Sequence, residues 1–333
     1  MQERRLGRSG LMVSPIGLGT ARVGGLGFSR KGDRETTLVP EAVEETKRAI
    51  RLAVDRGVTF FDTADIYGAG RAERLLGEAI RGVRHKLVIS TKFGELFDEE
   101  TGEEPAGAVT PEYVRRACDA SLQRLGTDVI DLYLFHLNDF PLDQAEGIRD
   151  ALEDLVARGK IRSYGWSTDD PERARLFAKG LHCSAIELRL NIFDDAPEML
   201  ALCEEEDLAS VIRVPLLMGI LTGRWHRGGS LPDSDRRSDG FRDERFLQML
   251  DRAESLRPIL TRQGRTYVQG AIAWIWRRSP RTVPIPGFRS VAQVEELVGA
   301  LQCGAMSQAD FEAVNAQMKV PLQRSQSLQT GGQ

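Results

Sequence analysis

This 333-residue chain holds only four cysteines, Cys118, Cys183, Cys203 and Cys303, and no two form a Cys-x-x-Cys pair. Such spacing suggests neither a zinc site nor a disulfide framework, so reduced thiols and no metal are expected. Long apolar runs are missing too: no segment reaches the about 18 residues that a membrane span needs. The opening Met1-Gln2-Glu3-Arg4-Arg5 carries no apolar stretch of the kind a secretion signal requires, and a cytoplasmic location is expected. A large excess of one charge is also absent. The net charge of −4 gives no electrostatic reason to expect nucleic acid or an anionic membrane as partner. Nothing in the pattern specifies an oligomeric state.

A Gly-x-Gly-x-x-Gly fingerprint is lacking as well. Gly17-Leu18-Gly19-Thr20-Ala21-Arg22 begins like one but ends in Arg, and Gly68-Ala69-Gly70-Arg71-Ala72-Glu73 ends in Glu. Without the third glycine the close helix–strand packing of a doubly wound dinucleotide domain is lost. That fold is rejected.

What is present is alternation. Strand-like runs occur near Ile16–Thr20, Val58–Asp62, Leu87–Lys92, Val129–His136, Ile161–Ser167, Ala185–Leu190, Ser210–Val214 and Thr282–Ile285. Helical patterns such as Glu41–Asp55, Pro111–Arg124, Leu142–Arg158 and Thr266–Arg277 lie between them. Thr110 before Pro111 is a cap followed by a first-turn proline. Gly57, Gly126 and Gly159 fall where left-handed C-terminal caps are common. With 41% hydrophobic and 28% charged residues the composition is that of an ordinary globular chain, and it shows no second zone. The expected fold is α/β: a single (β/α)8 TIM barrel over residues 1–322, with an N-terminal hairpin cap and a disordered tail at 323–333. Gly24–Pro40, Asp98–Val109 and Arg224–Phe241 look irregular, follow strands, and are expected to rim the mouth as long loops.

Four polar residues stand out against this pattern. Asp62, Lys92 and His136 each end a strand-like run, and Tyr67 lies five residues past Asp62. In a barrel of parallel strands, the C-terminal ends converge on one mouth, where catalytic groups sit. Four convergent groups of different chemistry are hard to explain as packing.

The stretch Phe60-Phe61-Asp62-Thr63-Ala64-Asp65-Ile66-Tyr67-Gly68, then Thr91-Lys92-Phe93-Gly94, then His136, resembles the aldo-keto reductases. Leu6–Ser14 with Gly17–Thr20, Gly159–Ser167, Pro215–Gly223 and Ile285–Arg289 agree in the same order, from about residue 4 to residue 318. The resemblance implies reduction of an aldehyde or ketone to an alcohol by hydride from NADPH. Tyr67 would exchange the proton, Lys92 would tune it, Asp62 would hold Lys92, and a neutral His136 would orient the carbonyl. A phenol of ordinary pKa near 10 is a sluggish acid. A Lys ammonium roughly 4 Å away, at an effective dielectric near 20, supplies about 4 kcal/mol toward the phenolate, roughly three pH units before burial opposes it.

For the cofactor, the resemblance implies contacts from Gly19, Thr20, Ala21 and Asp62. Ser167, Thr168 and Glu187 would meet the carboxamide and Arg213 the nicotinamide ring. Thr168 stands where the family commonly has Asn, Glu187 where it has Gln, and Arg213 where many members have Tyr. An ionised carboxylate accepts hydrogen bonds but returns none; a guanidinium can stack on a ring, or serve a structural ion pair. Pro215, Leu216, Gly219, Leu221 and Gly223 would wrap the pyrophosphate. Gly287 and Arg289, at the opening of the last helix, would meet the 2′-phosphate, with Gln293 and Glu296 near the adenine. Leu297 stands where Asn is frequent. Arg22, Ile66, Phe93, Leu137, Asn138, Arg189 and Trp225 are candidate substrate-pocket residues. Two other readings are open: a cofactor-binding regulatory subunit resembling potassium-channel β-subunits, and a lyase or aldolase barrel using Lys92 as a Schiff-base nucleophile.

Overall fold

An antiparallel hairpin opens the chain, β1 (Arg4–Arg5) against β2 (Met12–Val13). Eight parallel strands follow: β3 (Leu18–Gly19), β4 (Phe60–Asp62), β5 (Val88–Phe93), β6 (Ile130–Phe135), β7 (Ile161–Ser167), β8 (Cys183–Arg189), β9 (Ala209–Arg213) and β10 (Thr282–Pro284). This is a computed structural model, and it describes residues 2–23, 40–101, 107–233, 235 and 237–319. Each barrel strand pairs with the next in sequence, from β3 to β10. The Gly17 amide donates to the Pro284 carbonyl at 2.9 Å and the Gly19 amide to Pro286 at 3.1 Å, which brings the two edges together.

Helices α1 (Pro40–Asp55), α2 (Arg71–Ala79), α3 (Pro111–Leu125), α4 (Leu142–Ala157), α5 (Pro171–Ala178) and α6 (Pro197–Glu205) return the chain between strands. After β9 come α7 (Glu244–Ser255), the single turn α8 (Arg257–Leu260) and α9 (Tyr267–Arg278); α10 (Val291–Cys303) and α11 (Gln308–Lys319) follow β10. The expected punctuation holds. Thr110 Oγ1 accepts the Tyr113 amide at 3.2 Å, and Gly57, Gly126 and Gly159 take φ of 87°, 63° and 71°. The structure corrects the opening of the last helix: the helix after Arg289 begins at Val291, and α11 follows it.

Side chains alternate across a strand with period two, and this decides what reaches the mouth. Phe60, Val88, Leu132, Leu134, Ala185, Val211 and Val283 fill the barrel interior together with Leu6 and Val13 of the hairpin. Their strand neighbours Phe61, Ile89, Tyr133, Phe135, Ile186 and Ile212 pack outward among the helices. The same inward series continues to Asp62 and Glu187, two residues past Phe60 and Ala185, and to Lys92, four past Val88. The hairpin closes the opposite end. At Gly7, φ is +50° and an added Cβ would stand 2.1 Å from the Ser184 carbonyl oxygen, so only glycine lets the plug seat.

Of the irregular stretches, most of Gly24–Pro40 and part of Asp98–Val109 lie outside the described residues, as does the tail at 323–333. Arg224–Phe241 is described apart from 234 and 236.

Candidate active site

Lys92 is fully buried at the end of β5. Its ammonium donates to Asp62 Oδ1 and, at 3.0 Å, to the Thr63 carbonyl. Glu187 Oε2 stands 3.2 Å away on the other side. Lys92 is therefore ion-paired twice. Both carboxylates raise its pKa, against the desolvation that would lower it. Burial pushes Asp62 above its ordinary value; Lys92 opposes the rise and Glu187 adds to it.

Tyr67 sits on the turn between β4 and α2. Gly68, Ala69 and Gly70 all take left-handed φ, 62°, 52° and 83°. For Ala69 such a backbone costs of order 1–3 kcal/mol, and strain of this kind clusters at functional sites. The ring is held with Lys92 Nζ 5.6 Å from its centroid, and His136 meets it edge-on at 6.1 Å. The expected acidification of the phenol is corrected here. Burial raises the Tyr67 pKa more than Lys92 lowers it, and Asp62, Glu187 and Glu95 add to the rise.

His136 continues the inward series of β6. Burial, Lys92 and Arg213 push its pKa down to about 3, which leaves a neutral imidazole. Its Nδ1 approaches Glu95 Oε1 at 3.3 Å without forming a hydrogen bond. At the end of β9, Arg213 is ion-paired with Asp169.

Five of these groups share a cavity of about 410 Å³, within the size range of small-molecule sites, while Lys92 is fully buried and is not itself on its wall. Asp62, Tyr67, His136, Glu187 and Arg213 line it, as do Gly19, Ala21, Pro215, Leu216, Gly219, Gly287, Arg289, Gln293 and Glu296. Arg22 and Trp225, expected at the substrate end, also line it. Several expected residues do not. Phe93 points the other way, stacking on Tyr133 at 4.5 Å and Phe135 at 5.3 Å, because it lies one residue past the inward-facing Lys92. Ile66 is off the cavity wall. The Leu137 carbonyl takes the Trp166 indole NH at 2.9 Å, Asn138 Oδ1 takes the Asp169 amide at 3.1 Å, and Arg189 pairs with Asp194 at 2.8 Å.

Among the residues expected at the cofactor, Thr20, Ser167, Thr168 and Leu221 are buried behind the wall. Ser167 donates its hydroxyl to Glu187 Oε1 at 3.3 Å, and Thr168 Oγ1 accepts the Asp170 amide at 3.1 Å. The Gly223 carbonyl is taken by Arg257 at 2.8 Å. Val268 on the wall was missed by sequence reasoning, and Met218, Arg224, Leu231, Arg237 and Phe288 lie in stretches expected at the site without having been singled out. The segment after β9 turns through positive φ at Val214 (54°), Leu217 (47°), Met218 (52°) and Gly219 (116°), a backbone path no side-chain pattern announces. At Gly219 an added Cβ would lie 2.8 Å from the Trp225 ring. Arg224 reaches Glu296 at 3.2 Å, and Arg237 lies 4.9 Å over the Trp225 ring.

The N-terminus of α10 is already served. Ser290 Oγ accepts the Gln293 amide at 3.3 Å, Glu45 Oε1 accepts the Val291 amide at 2.9 Å, and Gln293 Oε1 accepts the Arg289 amide at 2.7 Å. The charge there is the Arg289 side chain.

Fold and site together define an enzyme of the (β/α)8-barrel class, with a buried acid–base cluster at the C-terminal ends of its strands. The Aldo/keto reductase family matches residues 15–318, and the chain belongs to that family. It is 31% identical over 296 residues to an aldo-keto reductase of Schizosaccharomyces pombe whose name specifies NADP(+), covering 86% of each chain. Identity to the NADH-specific methylglyoxal reductase of Escherichia coli is 30% over 323 residues, covering 93% of this chain and 96% of that one. A Klebsiella pneumoniae aldo/keto reductase solved with NADP and acetate superposes with a TM-score of 0.69 at 26% identity, over 97% of this chain and 98% of that one. Among the described residues no helix is long and apolar enough to cross a membrane.

Proposed function

We propose that the protein reduces an aldehyde or ketone to an alcohol with NADPH, and that Tyr67, Lys92, Asp62 and His136 carry the chemistry. The observation that carries this reading is the buried Lys92, ion-paired with Asp62 and 5.6 Å from the Tyr67 ring centroid, with a neutral His136 edge-on to that ring at 6.1 Å; Asp62, Tyr67 and His136 line one cavity. NADPH supplies hydride for the carbonyl carbon. Tyr67 gives its phenolic proton to the carbonyl oxygen, and Lys92 stabilises the phenolate left behind. His136, being neutral, can donate a hydrogen bond to that oxygen without competing as a stronger acid. Asp62 holds the Lys92 ammonium in place.

The residues present fit a nicotinamide dinucleotide. Asp62 Oδ2 and Glu187 Oε2 are buried without hydrogen-bond partners, and both residues face the cavity. Buried polar atoms without partners are costly, so each is a candidate contact for a bound group. Arg289 lines the other end, and a guanidinium suits a phosphate. The relatives differ, one named for NADP(+) and one for NADH; Arg289 favours NADPH here.

Tyr67→Phe decides the assignment. General acid catalysis is typically worth 10²–10⁴-fold, so the variant should lose at least that in kcat for carbonyl reduction while binding NADPH within a few-fold of wild type. A variant keeping more than about a tenth of kcat, with chemistry rate-limiting, assigns the proton to another group.

A further inference from the structure

The proposed proton and hydride chemistry has no use for a second carboxylate on Lys92, yet Glu187 is one. Its side chain is 3% exposed, its Oε2 is 3.2 Å from the ammonium, and that oxygen accepts no hydrogen bond. The charged and titratable groups around this pair are Asp62 from β4, Glu95 just beyond β5, His136 after β6 and Arg213 from β9, and the partly exposed Arg22 lines the same cavity. Arg213 is committed to Asp169, His136 is neutral, and the Glu95 side chain is 45% exposed. That leaves one buried cation, Lys92, against two buried carboxylates. With both ionised, the floor carries one negative charge in excess, and an unbalanced buried charge is expensive.

A proton or a cation can relieve it. We propose that Glu187 makes the nicotinamide subsite discriminate by charge, favouring the positively charged oxidised ring over the neutral reduced one, and that binding the oxidised form displaces a proton from Asp62. This inference rests on the cofactor assignment above. The raised pKa of Asp62, to which Glu187 contributes, agrees with it. Contacts to the pyrophosphate, adenosine and carboxamide are common to both forms and cancel in the ratio of their affinities. Only the ring charge remains. A bound cation favours ionised carboxylates and lowers their pKa. The ratio of NADP+ to NADPH affinity therefore rises with pH until the empty site has lost its proton and is flat above that point, the titration of the 2′-phosphate being common to both forms.

The test is calorimetric titration of the full-length protein with NADP+ and with NADPH, over a pH series and in two buffers of different ionisation heat. Wild type should release more protons with NADP+ than with NADPH. Glu187→Gln should lower the preference for NADP+ over NADPH about tenfold, or 1.4 kcal/mol, and abolish the difference in proton release; Glu187→Asp, which keeps the charge, should retain most of both. A ratio unchanged in Glu187→Gln, or a wild-type ratio that does not vary with pH, overturns the inference and leaves the cofactor assignment standing. Wild-type protein that binds neither form overturns both.

Discussion

Lys92 and Tyr67 are set in tension by the same burial. Desolvation favours the neutral phenol, and the ammonium 5.6 Å from the ring centroid pulls toward the phenolate. Lys92 is itself divided between Asp62 and Glu187, so less of its field is available to Tyr67 than one carboxylate would leave. Replacing it should make the phenol a still weaker acid. Lys92→Met, followed through pH–rate profiles for alcohol oxidation, is expected to raise the apparent pKa of the acid–base group as well as slow the reaction. The sign follows from the cause, since the Lys92 charge lowers the Tyr67 pKa and its loss removes that pull. A slower variant with an unmoved profile would restrict Lys92 to packing. All four residues were legible in the chain because each ends a strand-like run or lies a turn beyond one. The direction of the Tyr67 shift was not legible. It depends on how much water the folded site excludes, which no spacing encodes.

The turn from β10 into α10 shows how an element can look like an anion site and have its donors occupied. Gln293, Glu45 and Ser290 take up the backbone amides of Arg289, Val291 and Gln293, so a phosphate there would meet chiefly the Arg289 side chain. Its desolvation and the neighbouring Arg237 both disfavour its charged form, a condition that an anion relieves. A hydrogen bond to a charged group is worth about 1.5–3 kcal/mol, or roughly 10- to 150-fold in affinity. Arg289→Ala should weaken NADPH by about that factor and leave NADH nearly unchanged, as read by fluorescence titration of both cofactors. Equal losses for the two would tie Arg289 to the fold or the adenine instead. The segment after β9 is the opposite case. Its glycines were legible as a place for close approach, but the positive φ at Val214, Leu217 and Met218 is imposed by tertiary contacts on residues that do not favour it.

The barrel works as a two-layer device, with a packed lower interior and a polar upper one. Leu6 from the hairpin is fully buried among Phe60, Leu132, Val211 and other inward side chains, at the end opposite the cavity. Leu6→Ala should destabilise the fold by about 2–5 kcal/mol, the usual range for a buried Leu→Ala, measured by denaturant unfolding as a lower midpoint at unchanged slope. Activity per folded molecule should stay close to wild type, because the plug lies at the end opposite the groups proposed for catalysis. A strong loss of activity with little loss of stability would mean that the hairpin positions the site.

The chain by itself determined the barrel, the order of its segments and the four residues proposed for catalysis, because strand period, caps and motif order are local properties. Tertiary structure alone decided which expected residues meet. Phe93 was drawn to the outer core by the alternation that turns Lys92 inward, and Thr20, Ser167 and Thr168 went behind the wall. Glu187 was expected to serve as an acceptor for a carboxamide. Only closure of the sheet, which brings β8 across the interior from β5, set it against Lys92 at 3.2 Å. Charge pairing across a barrel depends on which strand ends converge, and that convergence exists only once the sheet has closed.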